Sequence, residues 1–266
     1  MRPLRSLPGV WHAARAVRAV GGALRRRSPR GVILTYHRIA GPRHDPLLLD
    51  VSAPNFDAQL SVISRTAAPL PLDEFESLRR EGRLPVRAVA VTFDDGYADN
   101  LLAAAPLLAR YEIPATVFVT AGMIGSARGF PWDSADAGLP SHRALTVEEL
   151  CALAAQKGIA IGAHTMTHPS LATLTRAEQA REIGGSITWL EQTTGLRVRA
   201  LAYPFGTPGD VSATTVRVAS RLCDYALSTD SGAAWRWSPR WRLPRATVRD
   251  WNAEEFAHHL DRWFAA

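Results

Sequence analysis

Cysteine is nearly absent from this chain. Its 266 residues contain two, Cys151 and Cys223, too few for a disulfide framework, and both read as buried thiols. Long apolar runs are missing too. The best stretch, Leu101 to Ala109, falls well short of the roughly 20 residues of a membrane span and contains Pro106. Acidic residues are absent from positions 1–30, which carry eight arginines: Arg2, Arg5, Arg15, Arg18, Arg25, Arg26, Arg27 and Arg30. Residues 31–266 then hold 23 basic and 25 acidic side chains, a net charge of −2, so the overall +6 is a property of the tail. The body offers no general electrostatic case for a nucleic-acid partner.

The tail lacks the unbroken apolar stretch of a secretory signal, because Arg15 and Arg18 interrupt it. Placed on a helix, Val10, Ala13, Val17, Val20 and Leu24 share one face, and Arg15, Arg18, Arg25 and Arg26 fall on the other. Three readings stay open: a surface helix packed on its own domain, an interfacial helix on anionic lipid, or a targeting peptide. With no signal and no span, the expectation is a cytoplasmic protein, or one in peripheral contact with the inner membrane face through its N-terminus. The expected division is a basic amphipathic extension over 1–30 and one domain over 31–266.

What is present is globular material. Apolar residues make up 47% and charged ones 21%, enough to bury a core. From Gly31 onward short β-rich runs alternate with helical patterns, which predicts an α/β fold with a parallel sheet. Strands are expected at Val32–Tyr36, Ala88–Phe93, Ala115–Thr120, Ala160–Ala163, Arg199–Tyr203, Tyr225–Ser228 and near Arg245–Val248. Helices are expected at about 54–66, 98–110, 146–156, 175–194, 209–221 and 252–264. Thr146 with Glu149, and Thr175 with Glu178, have capping-box spacing, and Gly158 and Gly195 stand where C-terminal glycines belong. Seven strands with intervening helices predict a (β/α) barrel, distorted or incomplete, with its active site where strands end and loops begin. One long loop, Gly122 to Arg143, is rich in Gly and Pro and carries Trp132 and Asp133. Loops of that length are usually functional.

The chemistry-bearing segments fall at such strand ends. In Val91-Thr92-Phe93-Asp94-Asp95-Gly96-Tyr97, two carboxylates end an apolar run before a glycine that permits a tight turn. At a frayed strand end both can face one cavity, one to bind a metal and one to take a proton; alone, the motif is also an ordinary acidic turn. In Gly162-Ala163-His164-Thr165-Met166-Thr167-His168-Pro169, two histidines four apart converge on one cation if they sit on a helical turn. Pro169 limits His168 to an extended or turn conformation. Thr165 stands where a zincin needs Glu, which argues against a metalloprotease. Two histidines and an aspartate form a sound three-ligand set for a catalytic divalent ion, with a position left open to water.

These two segments together resemble the NodB-homology family, the polysaccharide deacetylases of carbohydrate esterase family 4, over most of residues 31–250. The resemblance implies that Asp94 is the catalytic base and that Asp95, His164 and His168 hold the metal. Leu201-Ala202-Tyr203-Pro204-Phe205-Gly206 is similar to the family's Arg-x-Pro-aromatic-Gly segment, whose backbone lines the acetyl pocket. That implies Tyr203, Pro204 and Phe205 about the substrate, with the Phe205 N–H as an oxyanion donor. The family's arginine is here Ala202, so the support of the base must come from elsewhere. Arg245, in Leu243-Pro244-Arg245, is the candidate cation and is counted among the residues around the substrate.

For the general acid, His258 and His259 lie on an amphipathic helix with no strand before them. Val32-Ile33-Leu34-Thr35-Tyr36-His37-Arg38-Ile39 instead resembles the N-terminal Tyr-His segment of the circularly arranged branch of the family, such as the bacterial poly-N-acetylglucosamine deacetylases. This makes His37 the expected acid, since an imidazole near neutrality can protonate a leaving amine. Trp132 is the favoured aromatic contact for a sugar ring, its loop having no obvious core to join; Trp235, Trp237 and Trp241 read as packing. Two imidazoles and one carboxylate suit Zn²⁺, with Co²⁺ or Ni²⁺ fitting the same set.

The reading is a metal-dependent hydrolase that removes an acetyl group from an N-acetylated sugar of a glycan or glycolipid. A carbohydrate O-acetyl esterase, a hydrolase of another amide, and a catalytically silent glycan-binding module stay open beside it.

Overall fold

Near-continuous apolar runs such as Val32–Leu34 and Ala88–Val91 suit strands covered on both faces, the pattern of a parallel sheet wrapped by helices. A computed structural model of the chain describes residues 29–41, 45–126, 130–132 and 142–265; most of the basic segment, residues 1–28, lies outside them. The strands are β1 (Arg30–Tyr36), β2 (Arg38–Ile39), β3 (Asp50–Val51), β4 (Ala68–Pro69), β5 (Ala88–Phe93), β6 (Ala115–Val119), β7 (Ile159–Ala163), β8 (Ala200–Ala202), β9 (Tyr225–Leu227), β10 (Ala234–Trp235) and β11 (Ala246–Thr247). The α-helices are α1 (Ala53–Thr66), α2 (Leu72–Glu81), α3 (Ala105–Arg110), α4 (Val147–Ala154), α5 (Arg176–Thr194), α6 (Ala213–Leu222) and α7 (Ala253–Ala265).

The main sheet runs β10-β1-β5-β6-β7-β8-β9, with β11 also on β1 and β4 on β5. All these pairings are parallel except β10 with β1. The segment 240–248 spans the gap between the two ends of the curl. Leu243 pairs beside Leu227 of β9, and Ala246 pairs with Leu34 of β1. Thus β1, β5, β6, β7, β8, β9 and β11 make the expected seven-stranded, distorted (β/α) barrel.

The pleat divides the core in two. Val32, Leu34, Tyr36, Val89 and Val91 face outward into the helix-packed cluster, which includes Phe56, Leu60 and Phe256. Ile33, Ala88, Ala90, Phe118, Ala200 and Ala202 face inward. Gly162 of β7 carries no side chain because Phe118 lies across it: a Cβ there would stand 2.3 Å from that ring.

Both expected capping boxes are present, at Thr146–Glu149 and Thr175–Glu178. Gly195 caps α5 in the left-handed conformation. Gly158 is also left-handed (φ +86°), but it follows the end of α4 by several residues and serves the turn into β7. Helix α2 is an addition to the expected elements. Its buried face includes Glu76 and Arg79, joined at 2.6 Å, so it shows no clean apolar stripe. Helix 98–110 is also modified. Asn100–Ala104 is a π turn whose last bond runs from the Ala105 N–H to the Asn100 carbonyl. Pro106 has no N–H for the carbonyl of Leu102, and the widened turn accommodates its ring. The cysteines are not both buried: Cys151 is exposed and Cys223 half-buried.

Candidate active site

The first residues beyond the C-terminal ends of β1, β5, β7 and β8 line one place. His37 follows β1 and Asp94 follows β5, and the Asp94 N–H donates to the Tyr36 carbonyl at 3.0 Å. His164 follows β7 and Tyr203 follows β8. They line a cavity of about 330 Å³ with Asp95, Trp132, His168 and Phe205.

Adjacent carboxylates should face opposite sides of an extended chain. Asp95 avoids this with φ +75°, followed by Gly96 at +87°, and the reversal closes with the Gly96 N–H on the Asp94 carbonyl at 3.0 Å. The histidines do not converge by a helical turn. Thr165 (φ +65°) and His168 (φ +60°) are both left-handed, and the loop between them is held by Glu182 of α5, which accepts from the Met166 and Thr167 N–H groups at 3.0 and 2.9 Å.

The result is a cluster of three side chains able to hold a metal ion. The Nε2 atoms of His164 and His168 each lie 3.5 Å from Asp95 Oδ1. Among the described residues, Asp95, His164 and His168 form the one group of three or more such side chains with ligand atoms within 4.8 Å of one another. Metal–ligand bonds of about 2.1 Å in tetrahedral geometry place neighbouring ligand atoms about 3.4 Å apart, so the spacing fits a divalent ion. The His164 Nδ1–H donates to the Ala202 carbonyl at 2.8 Å, which leaves Nε2 with its lone pair toward the cluster. Burial holds the His164 imidazole below its ordinary pKa and, with His164 beside it, brings His168 down to about 3. Neutral imidazoles are the form that binds metal.

Asp94 is buried and meets Arg245 fork to fork. Nη1 lies 2.7 Å from Oδ1 and Nη2 2.7 Å from Oδ2. Arg245 is fully buried and further fixed by its Nε bond to the Ser228 carbonyl at 3.0 Å. It therefore stands behind Asp94 rather than on the cavity wall. Burial alone raises the Asp94 carboxyl, but the Arg245 guanidinium, then His164, outweigh it and hold the group well below the usual carboxylate range. Burial also pushes His37 down to about 4 against the pull of Asp94.

His168 is held between aromatic rings, with Trp132 at 4.5 Å and Phe205 at 4.9 Å between centroids. Trp132 does have a small core to join. Its indole N–H donates to the Tyr97 hydroxyl at 2.9 Å, and it stacks on Phe130 at 5.0 Å. Phe205, at φ +58°, is half exposed. Its carbonyl accepts from Thr229 Oγ1 at 2.7 Å, and its N–H donates to no acceptor among the described residues. Pro204 is buried behind it. His258, His259, Trp235, Trp237 and Trp241 stand away from the cavity. Sequence reading passed over Thr247 and Arg249 on the wall. Arg245, Thr247 and Arg249 alternate along one extended segment, and that period of two was the available signal.

Comparison with known proteins agrees with this geometry. Over 219 residues the chain is 28% identical to YxkH of Bacillus subtilis (strain 168), covering 81% of this chain and 70% of that one. It is 25% identical over 217 residues to a poly-β-1,6-N-acetyl-D-glucosamine N-deacetylase of Staphylococcus aureus, covering 80% and 71%. The fold superposes on the Streptococcus pyogenes deacetylase PplD in complex with acetate with a TM-score of 0.75 and 25% identity, over 88% of this chain and 99% of that one. The profile described as polysaccharide deacetylase matches residues 81–225, more than half the chain, and the protein belongs to the polysaccharide deacetylase family.

Proposed function

We propose that this protein is a metal-dependent hydrolase that removes the acetyl group from an N-acetylated sugar of a glycan or glycolipid. The observation that carries the reading is the carboxylate of Asp94 beside the Asp95–His164–His168 cluster in one cavity. A divalent ion, Zn²⁺ by donor set, would be held by those three residues and supply Lewis acidity toward the acetyl carbonyl and an attacking water.

The chain's own groups account for the proton traffic. Asp94 accepts the proton of the attacking water on the lone pairs that the Arg245 fork leaves over. The N–H of Phe205, unused among the described residues, is the donor for the developing oxyanion. His37 delivers a proton to the departing amine. Burial keeps its imidazole neutral at pH 7 in the free protein, so it takes a proton from solvent as negative charge builds on the substrate, and Asp94 returns the proton of the water to solvent after turnover. The products are acetate and a free amino sugar. Trp132 and Phe205 offer aromatic faces to the ring. The Staphylococcus aureus relative, named for an N-acetylglucosamine polymer, supports an N-linked over an O-linked acetyl group.

The test is acetate release from N-acetylated and O-acetylated sugars, with and without a chelator. Release from the N-acetylated sugar that stops with chelation and returns with Zn²⁺ is the expected result. Release confined to O-acetylated sugars replaces the reading with an esterase. No release from either leaves a glycan-binding module.

A further inference from the structure

The wall of the catalytic cavity carries a cation that no carboxylate among the described residues pairs with. Arg249 is half-buried and lines the cavity with His37, Leu47 and Thr247. Its Nη1 donates to the Leu47 carbonyl at 3.5 Å and to the Leu48 carbonyl. Among the described residues Nε and Nη2 find no acceptor, and no carboxylate forms an ion pair with Arg249. The acid that acts on it, Asp45, is occupied: its oxygens accept from the Leu49 and Asp50 N–H groups at 2.9 and 2.8 Å and from Arg38 at 3.5 Å.

The cavity's own acids are also committed. Asp94 is matched by Arg245, and Asp95 stands in the ligand cluster. A guanidinium stripped of part of its water normally has a counter-charge, and this one lines the cavity with Nε and Nη2, a fork of donors, unused among the described residues. That geometry suits the planar or tetrahedral oxygens of a carboxylate or phosphate. Apolar Leu47, Leu49 and Phe205 complete the rim, so one anionic group is accommodated rather than a row of them.

We propose that Arg249 is an anion-binding subsite of the catalytic cavity, and that the preferred substrate is an N-acetylated sugar bearing a phosphate or carboxylate close to the scissile acetamide. The inference rests on the deacetylase reading and narrows its substrate class.

The experiment compares three sugars: N-acetylglucosamine 1-phosphate, a disaccharide of N-acetylglucosamine with glucuronic acid, and neutral N,N′-diacetylchitobiose. The readouts are kcat/KM for acetate release and Kd by calorimetry, for the wild type, Arg249→Gln and Arg249→Lys. A charge-assisted contact predicts an anionic-to-neutral ratio of about tenfold or more in the wild type. The ratio should collapse toward one in Arg249→Gln and be partly kept in Arg249→Lys. The phosphate and carboxylate arms separate the two sources of the anion. Because Arg249 also holds the Leu47–Leu48 carbonyls, the ratio is decisive: a slackened loop weakens all three sugars alike. A wild-type ratio near one, or a ratio unchanged in Arg249→Gln, overturns the proposal. If no sugar releases acetate, the deacetylase reading fails, and the ratio of Kd values still decides the subsite.

Discussion

Arg245 and Asp94 are 151 residues apart in the chain and share two parallel hydrogen bonds of 2.7 Å at the top of the barrel. The arginine comes from the segment that closes the curl between β9 and β1, and the aspartate from the end of β5. Closing the barrel and orienting the proposed base are therefore one structural event. Ala202 needs no arginine side chain because the cation arrives from a different strand.

Removing one partner should leave a buried charge uncompensated. Arg245→Ala is expected to lose about 3–5 kcal/mol of unfolding free energy, measured by denaturant titration, together with most activity. Adding Asp94→Asn should recover much of that stability; strictly additive losses in the double variant would refute the coupling. The sign with pH is also set. The Asp94 carboxyl is depressed in the folded state, so its contribution is complete above the ordinary carboxylate pKa of about 3.9 and fades as pH falls toward the folded value.

Metal content should separate the two carboxylates. His164→Ala removes a proposed ligand whose Nδ1 is pinned to the Ala202 carbonyl, and bound metal measured by mass spectrometry should fall with activity. Asp94→Asn should retain metal while turnover is lost. Equal metal loss in both variants would overturn the assignment of roles.

His37→Ala should slow acetate release by roughly 10²–10⁴-fold, the usual worth of a general acid, with metal content at the wild-type level. Full activity in this variant hands proton delivery to another group.

Asp99, buried beside the barrel mouth, has its carboxyl raised to about 8 by burial, with the Asp50 charge adding to this and the Ile39 N–H, Arg38 and Asn100 opposing it. The unfolded chain releases that proton near pH 4. Between about pH 4 and 8 the folded state thus binds more protons, and stability should fall as pH rises through that window, then level off. Asp99→Asn should flatten this slope in Tm measured against pH. Parallel slopes in the two proteins would sink the prediction.

Much of this could be read before the fold was in view. Strands buried on both faces betray themselves as unbroken apolar runs, and β5 begins and ends at the expected residues. The acids and histidines stand out because polar residues directly after such runs have no packing role. Helix α2 was illegible because its Glu76–Arg79 pair hides burial behind charge. The π turn depended on how Pro106 is accommodated in three dimensions.

The sequence alone determined the inventory: seven strands, the side chains able to bind a divalent ion, and a second carboxylate beside them. Periodicity and residue chemistry are local properties, and local properties survive in one dimension. Tertiary structure decided the directions and the partners. Left-handed backbone brings Asp95, His168 and Phe205 to the cavity, with Thr165 left-handed in the loop between the two histidines, although side chains disfavour that conformation unless surrounding contacts hold it. Which arginine reaches Asp94, and which lines the cavity with no ion pair among the described residues, depends on how the last strand returns to the first, a long-range closure with no signature in neighbouring residues.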